Sequence, residues 1–312
     1  MLRHYGSGSS PLNIVNEFIW NALCYHIFIL SYIYIPYKLT MKKVIMPFNG
    51  GKFSEGAFSF ATSLNNAKPI LLTGIFLPQG GFTHFFLFPP SLSGAYVPLE
   101  KKVEEENIQK NIERFKSSCK KNNIEYRIHE NLDDFAIPEL TKETRFADLL
   151  IIGSEIFFKN ISENDSNIFL EDTLQHTECP VLVVPEKYYF PSQNILAYDG
   201  SASSVFAIKQ FAYLFPHLCG NKTILVYAAE ETEDIPAQVN IEELTATHFS
   251  NLAITVLTTD RKENFGEWIL KHENPILVSG SFGRSGFSYL FTRSFVINII
   301  NAHQTPVFIA HQ

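Results

Sequence analysis

The chain alternates short apolar, β-branched runs with longer stretches whose apolar positions recur every three to four residues, and it passes through that alternation twice. In "VIMPFNGGKFSEGAFSFATSL", from residue 44, an apolar run stops at a glycine turn. A helical pattern follows, with Ala57, Phe58, Ala61 and Leu64 on one face. In "NILAYDGSASSVFAIKQFAYL", from residue 194, the same order returns, with Val205, Ile208, Phe211, Ala212 and Phe215 on one face. Each half then gives a second run ("KPILLTGIFL"; "KTILVYAAE"), a helix, and a third run ("IEYRIHE"; "AITVLTTD"). A fourth run follows ("ADLLIIGSEIFF"; "NPILVSGSFGRSG"), then a helix and a closing run ("CPVLVVPE"; "TPVFIAHQ"). The closing runs open with proline, tolerable where a strand's first N–H needs no ladder partner. Apolar strands alternating with helices are the pattern of a parallel sheet covered on both faces. The fold class expected is α/β, as two tandem five-stranded parallel-sheet domains with helices on both faces.

The pattern also sets the boundaries. The first domain is expected over 41–187 and the second over 193–312, with "EKYYFPSQ" as the linker. The stretch "PQGGFTHFFLFPPSLSGAYVP" after the second run is a Gly/Pro-rich aromatic loop, covering a groove or packed on its own phenylalanines. The charged run "LEKKVEEENIQKNIERFKSSCKKNN" mixes signs at helical spacing and reads as a solvated helix face. Residues 1–40 form a hydrophobic N-terminal extension of a different kind. "FIWNALCYHIFILSYIYIPY", residues 18–37, is long enough to span a bilayer but is interrupted by Asn21, His26, Ser31 and Pro36. Two readings stand: a start placed upstream of a true one at Met41, or a membrane anchor. In the second, Lys38, Lys42 and Lys43 put the globular part in the cytoplasm.

Composition narrows the function. A net charge of −7 without a dense Lys/Arg stripe argues against a nucleic-acid partner. Cys24, Cys119, Cys179 and Cys219 are far apart, and neither C-x-x-C nor H-E-x-x-H occurs, so a reduced thiol state is expected and no metal site. His176, His217 and His303 fall near predicted helix ends, where an imidazole caps or packs. There is no Walker G-x-x-x-x-G-K-[ST] and no G-x-S-x-G elbow.

The two openings "VIMPFNGG" and "ILAYDGS", the G-S-x-G turn in "LVSGSFGRSG" and the ending "CPVLVVP", in this order and doubled, resemble universal stress protein domains in tandem over residues 41–312. The resemblance implies a strand order of 3-2-1-4-5. In the family's nucleotide-binding branch it also implies ATP, with Mg²⁺ carried by the phosphates. The nucleotide is held by an Asp after the first strand and by Gly, two residues, Gly, nine residues, Gly, Ser/Thr after the fourth. In the second half Asp199 matches the acidic residue, followed by Gly200 and Ser201, and Gly280 and Gly283 match the first two glycines. Arg293 stands at the third glycine and Ser294 at the hydroxyl, while Arg284 and Ser285 flank the turn. In the first half Asn49 replaces the Asp, Gly153 is kept, Ile156 replaces the second glycine, and Asn167 and Ile168 take the final pair. The first half is therefore expected to be structural.

The chemistry follows from the implied order, which reverses between the first and fourth strands and there opens the crevice where such sheets bind ligands. A carboxylate can accept from ribose hydroxyls, and glycines let amides approach a polyphosphate. Arg293 either fills the space of a phosphate or binds it with its guanidinium. The bland readings remain beside these: Gly280 and Gly283 as a tight turn, Asp199 as a turn former, Ser294 as a helix serine. The expectation is a cytoplasmic adenine-nucleotide-binding or sensing module that is not an enzyme. The alternative is a nucleotide-free adaptor. A minor one is an ATP-using enzyme, since "NGGKFSEG" faintly resembles the ATP pyrophosphatase loop without its Asp and leading Ser. The closing strands are expected to pair at an edge, within the chain or with another protein or a second copy.

Overall fold

The apolar runs become the strands of a single sheet. The computed structural model describes residues 42–49, 52–77, 98–130, 136–155, 166–228, 234–257, 265–280 and 293–311. The first half contributes β1 (Lys42–Asn49), β2 (Ile70–Leu77), β3 (Glu125–Glu130), β4 (Leu149–Gly153) and β5 (Val181–Val184). The second contributes β6 (Gln193–Tyr198), β7 (Lys222–Ala228), β8 (Leu252–Leu257), β9 (Pro275–Ser279) and β10 (Val307–Ile309). Helices α1 (Glu55–Ala67), α2 (Pro98–Lys121), α3 (Ala136–Thr144) and α4 (Ser166–His176) belong to the first half. Helices α5 (Ala202–Leu214), α6 (Gln238–His248), α7 (Phe265–Leu270) and α8 (Arg293–Asn301) belong to the second.

The order across the ten-stranded sheet is β3-β2-β1-β4-β5-β10-β9-β6-β7-β8. Each half has the order 3-2-1-4-5 with parallel pairs, so the expected topology is present twice. The halves join through β5 and β10, which pair antiparallel within the chain. Val181 meets Ile309, Leu182 meets Phe308 and Val183 meets Val307, a register centred on the Leu182–Phe308 pair. Corresponding residues of the two endings thus exchange places, as in the self-complementary contact of a symmetric dimer. Of the two pairings left open for the closing strands, this structure has the internal one.

Both faces of the sheet are covered by apolar layers that run through both halves. One layer gathers Ala57, Phe58, Phe60, Ala61 and Leu64 of α1, Phe115 of α2, Ile208 and Phe211 of α5 and Ile241 of α6. The other gathers Leu140 of α3, Leu174 of α4, Ile269 of α7 and Val296 and Ile300 of α8. The strands between them are buried on alternate sides, hence their near-continuous apolar character. Phe60 of α1 lies edge-on to Phe215, just past α5, at 6.3 Å. Lys42, at the start of β1, donates Nζ to the backbone oxygen of Leu214 at the end of α5, and burial holds its pKa below the usual lysine value. Met41–Gln312 is one compact unit.

Cys119, Cys179 and Cys219 are free thiols. Burial pushes them up to about 12, about 12 and about 11. The thiolate is the reactive form, so these cysteines should resist a thiol reagent at pH 8 in the folded chain and label rapidly in urea. Peptide mapping after brief iodoacetamide exposure checks this; rapid native labelling of Cys179 would contradict it.

Among the described residues, no helix is long and apolar enough to cross a membrane and no group of three or more potential ligands could hold a metal ion. The extension 1–40 and nearly all of the aromatic loop, 78–97, lie outside them.

Candidate functional site

The order reversal of the second half lies between β6 and β9. Leu196 and Val278 are paired there, so the backbone beyond Tyr198 and the backbone at Gly280 emerge side by side at the carboxyl ends of adjacent strands. Asp199 follows β6 and is partly buried. Its Oδ1 accepts the Ser201 N–H at 2.9 Å, an Asx turn that leads the chain into α5. Gly200 has φ +79°, the left-handed region that favours glycine. Ser201 is the N-cap of α5, its hydroxyl accepting the Ser204 N–H at 3.1 Å. Among the described residues Oδ2 of Asp199 has no hydrogen-bond partner.

Gly280 has a packing role. A Cβ there would fall inside the backbone of Ser203 and Ser204, in the first turn of α5. The glycine is what lets β9 press against that turn. Gly283, Arg284 and Ser285 lie outside the described residues; Arg293 and Ser294 open α8, and their side chains are outside as well.

The same position in the first half is closed by its own residues. Gly153 ends β4, and a Cβ on it would meet Ser54 Cβ at 2.7 Å and Glu186 Oε1 at 3.2 Å. Ser54 caps α1, accepting the Ala57 N–H at 3.2 Å. The carboxylate of Glu186, just past β5, takes the Ser54 hydroxyl and the N–H groups of Glu55 at 3.0 Å and Gly56 at 3.2 Å. An anion of the chain itself thus occupies the amides of the helix N-terminus. Glu155 accepts the Ser154 hydroxyl at 2.9 Å and the Glu186 N–H at 2.8 Å, placing a second carboxylate beside the first. The longer β1–α1 loop also returns Phe53 onto Phe48 at 5.3 Å, with the Arg114 guanidinium 4.7 Å above the Phe53 ring. Phosphate would meet two carboxylates there. Asn49 ends β1, Asn167 and Ile168 lie in α4, and Ile156 is outside the described residues.

Sequence reasoning missed a second place altogether. A cleft of about 720 Å³ opens between the residues that follow β5 and those that precede β9 and β10. Glu186, Tyr188 and Tyr189 line one side and Leu270, His272 and His303 the other. The stretch taken for a linker is its wall. The local signal was there: two tyrosines beside a glutamate, directly after a strand.

No family model matches the sequence, and no curated protein does. Solved structures do match. A universal stress protein from Archaeoglobus fulgidus superposes with a TM-score of 0.61 over 87% of this chain and 96% of its own, at 14% identity. The fold is that of the universal stress proteins. A functionally unknown protein from Pseudomonas aeruginosa PAO1 follows at TM-score 0.51 and 10% identity, over 88% of this chain and 93% of that one. A provisional universal stress protein from Pseudomonas aeruginosa UCBPP-PA14 has TM-score 0.50 and 11% identity, over 88% and 94%. These overlays span nearly the whole of each protein, so the tandem arrangement of the universal stress protein fold is shared along with the single half.

Proposed function

We propose that the chain is a universal stress protein working as a binding or sensing module in the cytoplasm, without catalytic activity, and that its second half takes one adenine nucleotide of the ATP or AMP type. One observation carries the reading: Asp199 and Gly280 close adjacent strands at the order reversal, where doubly wound sheets take their ligands. The fit is chemical as well. A carboxylate oxygen of Asp199 suits ribose hydroxyls, and the sequence after Gly280 supplies, in Gly283, Arg284, Ser285, Arg293 and Ser294, residue types whose amides, hydroxyls and guanidinium groups suit a polyphosphate with its Mg²⁺. The first half would take none, because Glu186 and Glu155 already hold its anion-binding groups.

The second reading is a nucleotide-free adaptor. It is favoured by the Asx turn of Asp199 and the packing role of Gly280, which account for both residues without a ligand. Titration calorimetry with Mg-ATP separates the two. One site per chain is expected, weakened about tenfold or more in Asp199→Ala, equivalent to 1.4 kcal/mol. No heat at millimolar ATP supports the adaptor. Arg293→Gly then decides the role of the arginine, since a gain of binding marks it as an obstruction.

A further inference from the structure

We infer that the cleft at the junction of the two halves is a binding site for a slender organic amine with more than one ammonium group, the chemistry of an aliphatic polyamine. The cleft lies where β5 and β10 pair antiparallel, and it is lined by residues after β5, residues before β9 and β10, and the first turns of α1. Its volume, about 720 Å³, lies within the ordinary range of small-molecule sites.

Its walls offer acceptors and aromatic faces. Glu186 brings a carboxylate only partly offset by the α1 N-terminus, whose dipole amounts to about half a charge. Glu55 brings a second, which Arg114 holds from one side. The two histidines have fixed roles. His272 Nδ1 lies 2.9 Å from the Trp268 carbonyl oxygen, which can only accept, so Nδ1 carries the proton. His303 Nδ1 lies 2.9 Å from Ser154 Oγ, whose own hydrogen goes to Glu155, so Nδ1 donates there too. With Nδ1 so engaged, Nε2 is the lone-pair acceptor of each imidazole in its uncharged form. Lys187 supplies the single ammonium of the lining among the described residues and is exposed.

Two exposed apolar groups converge on this place. Tyr189 is 79% exposed and Leu270 46% exposed, and both line the cleft. A tyrosine face beside carboxylates attracts an ammonium, and the leucine and the ring bodies receive methylenes. An anion would meet Glu186 and Glu55 unfavourably, which sets this site apart from the nucleotide crevice.

The test is titration calorimetry of the full chain with spermidine. One site per chain is expected, with affinity reduced about tenfold in Tyr189→Ala and in Glu186→Gln, a loss of about 1.4 kcal/mol in each. Tyr189→Ala should keep the wild-type melting curve because its side chain is largely in solvent. Asp199→Ala should bind spermidine like the wild type, so the nucleotide proposal can fail without touching this one. Two results overturn the inference: no heat at millimolar spermidine, or binding unchanged in both cleft variants, which would place the amine on the acidic surface at large.

Discussion

Gly280→Ala is expected to destabilise the chain by about 3 kcal/mol, at the upper end of what overpacking usually costs. The added Cβ would enter the backbone of Ser203 and Ser204, and neither side can yield cheaply. On one side is β9, paired to β6 and β10 in the middle of the sheet. On the other is the first turn of α5, pinned by the Ser201 cap and by Ser203 and Ser204, both buried. A flexible side chain could swing away; a strand and a helix turn must separate. Gly220→Ala is the control, because a Cβ there has nothing within 4 Å. Urea denaturation followed by circular dichroism reads the difference in midpoint. A Gly280→Ala midpoint equal to that of Gly220→Ala would refute the close approach. The same contact shows why Gly280 variants are poor probes of nucleotide binding: they alter the fold before they alter a ligand contact.

Glu186→Ala should cost about 2–3 kcal/mol, the range for charge-assisted hydrogen bonds lost from a helix terminus. The carboxylate accepts from the Ser54 hydroxyl and the amides of Glu55 and Gly56, so its loss strips the first turn of α1 of a partner that no residue within that turn supplies. The neighbourhood cannot close over the gap with ease. Gly56 is packed so tightly on the β5 exit that a Cβ there would come within 2.8 Å of the Glu186 Cα and 2.9 Å of the Pro185 carbonyl carbon. Glu186→Gln keeps an oxygen acceptor and should lose less. Amide hydrogen exchange gives a residue-specific reading: Glu55 and Gly56 should exchange faster in Glu186→Ala, with amides of β7 unchanged. Unaltered protection at both positions would show that the carboxylate does not cap the helix.

The two halves differ at the position of Glu186. The first half satisfies the α1 N-terminus internally with Glu186. At the corresponding place in the closing sequences, TPVFIAHQ against CPVLVVPE, the second half has Gln312, an uncharged amide. One half closes its anion-binding groups with its own carboxylate while the other carries Asp199 at the mouth of the crevice.

Much of the fold was legible in the residues because its causes are local. Alternation of apolar runs with helical periodicity, proline at the strand entries, glycine after β6 and the serines at the helix starts each act within a few positions, and these produced the doubled α/β architecture. Asp199, Gly200 and Ser201 were legible as a turn leading into a helix for the same reason. The site was legible only in part, because a lone Asp and a lone Gly carry a turn or a ligand equally well until their strands are known to be neighbours.

What the chain decided by itself, then, is two parallel-sheet halves and the degraded motif of the first, both consequences of short-range patterns. The tertiary structure alone decided three things: that β5 pairs with β10 inside the chain, that Glu186 reaches across to α1, and that a cleft opens at the seam. The physical reason is common to all three. Open strand edges, unpaired helix amides and tyrosines that reach the surface have needs that many partners could meet, and only the packing of elements far apart in sequence selects which one does.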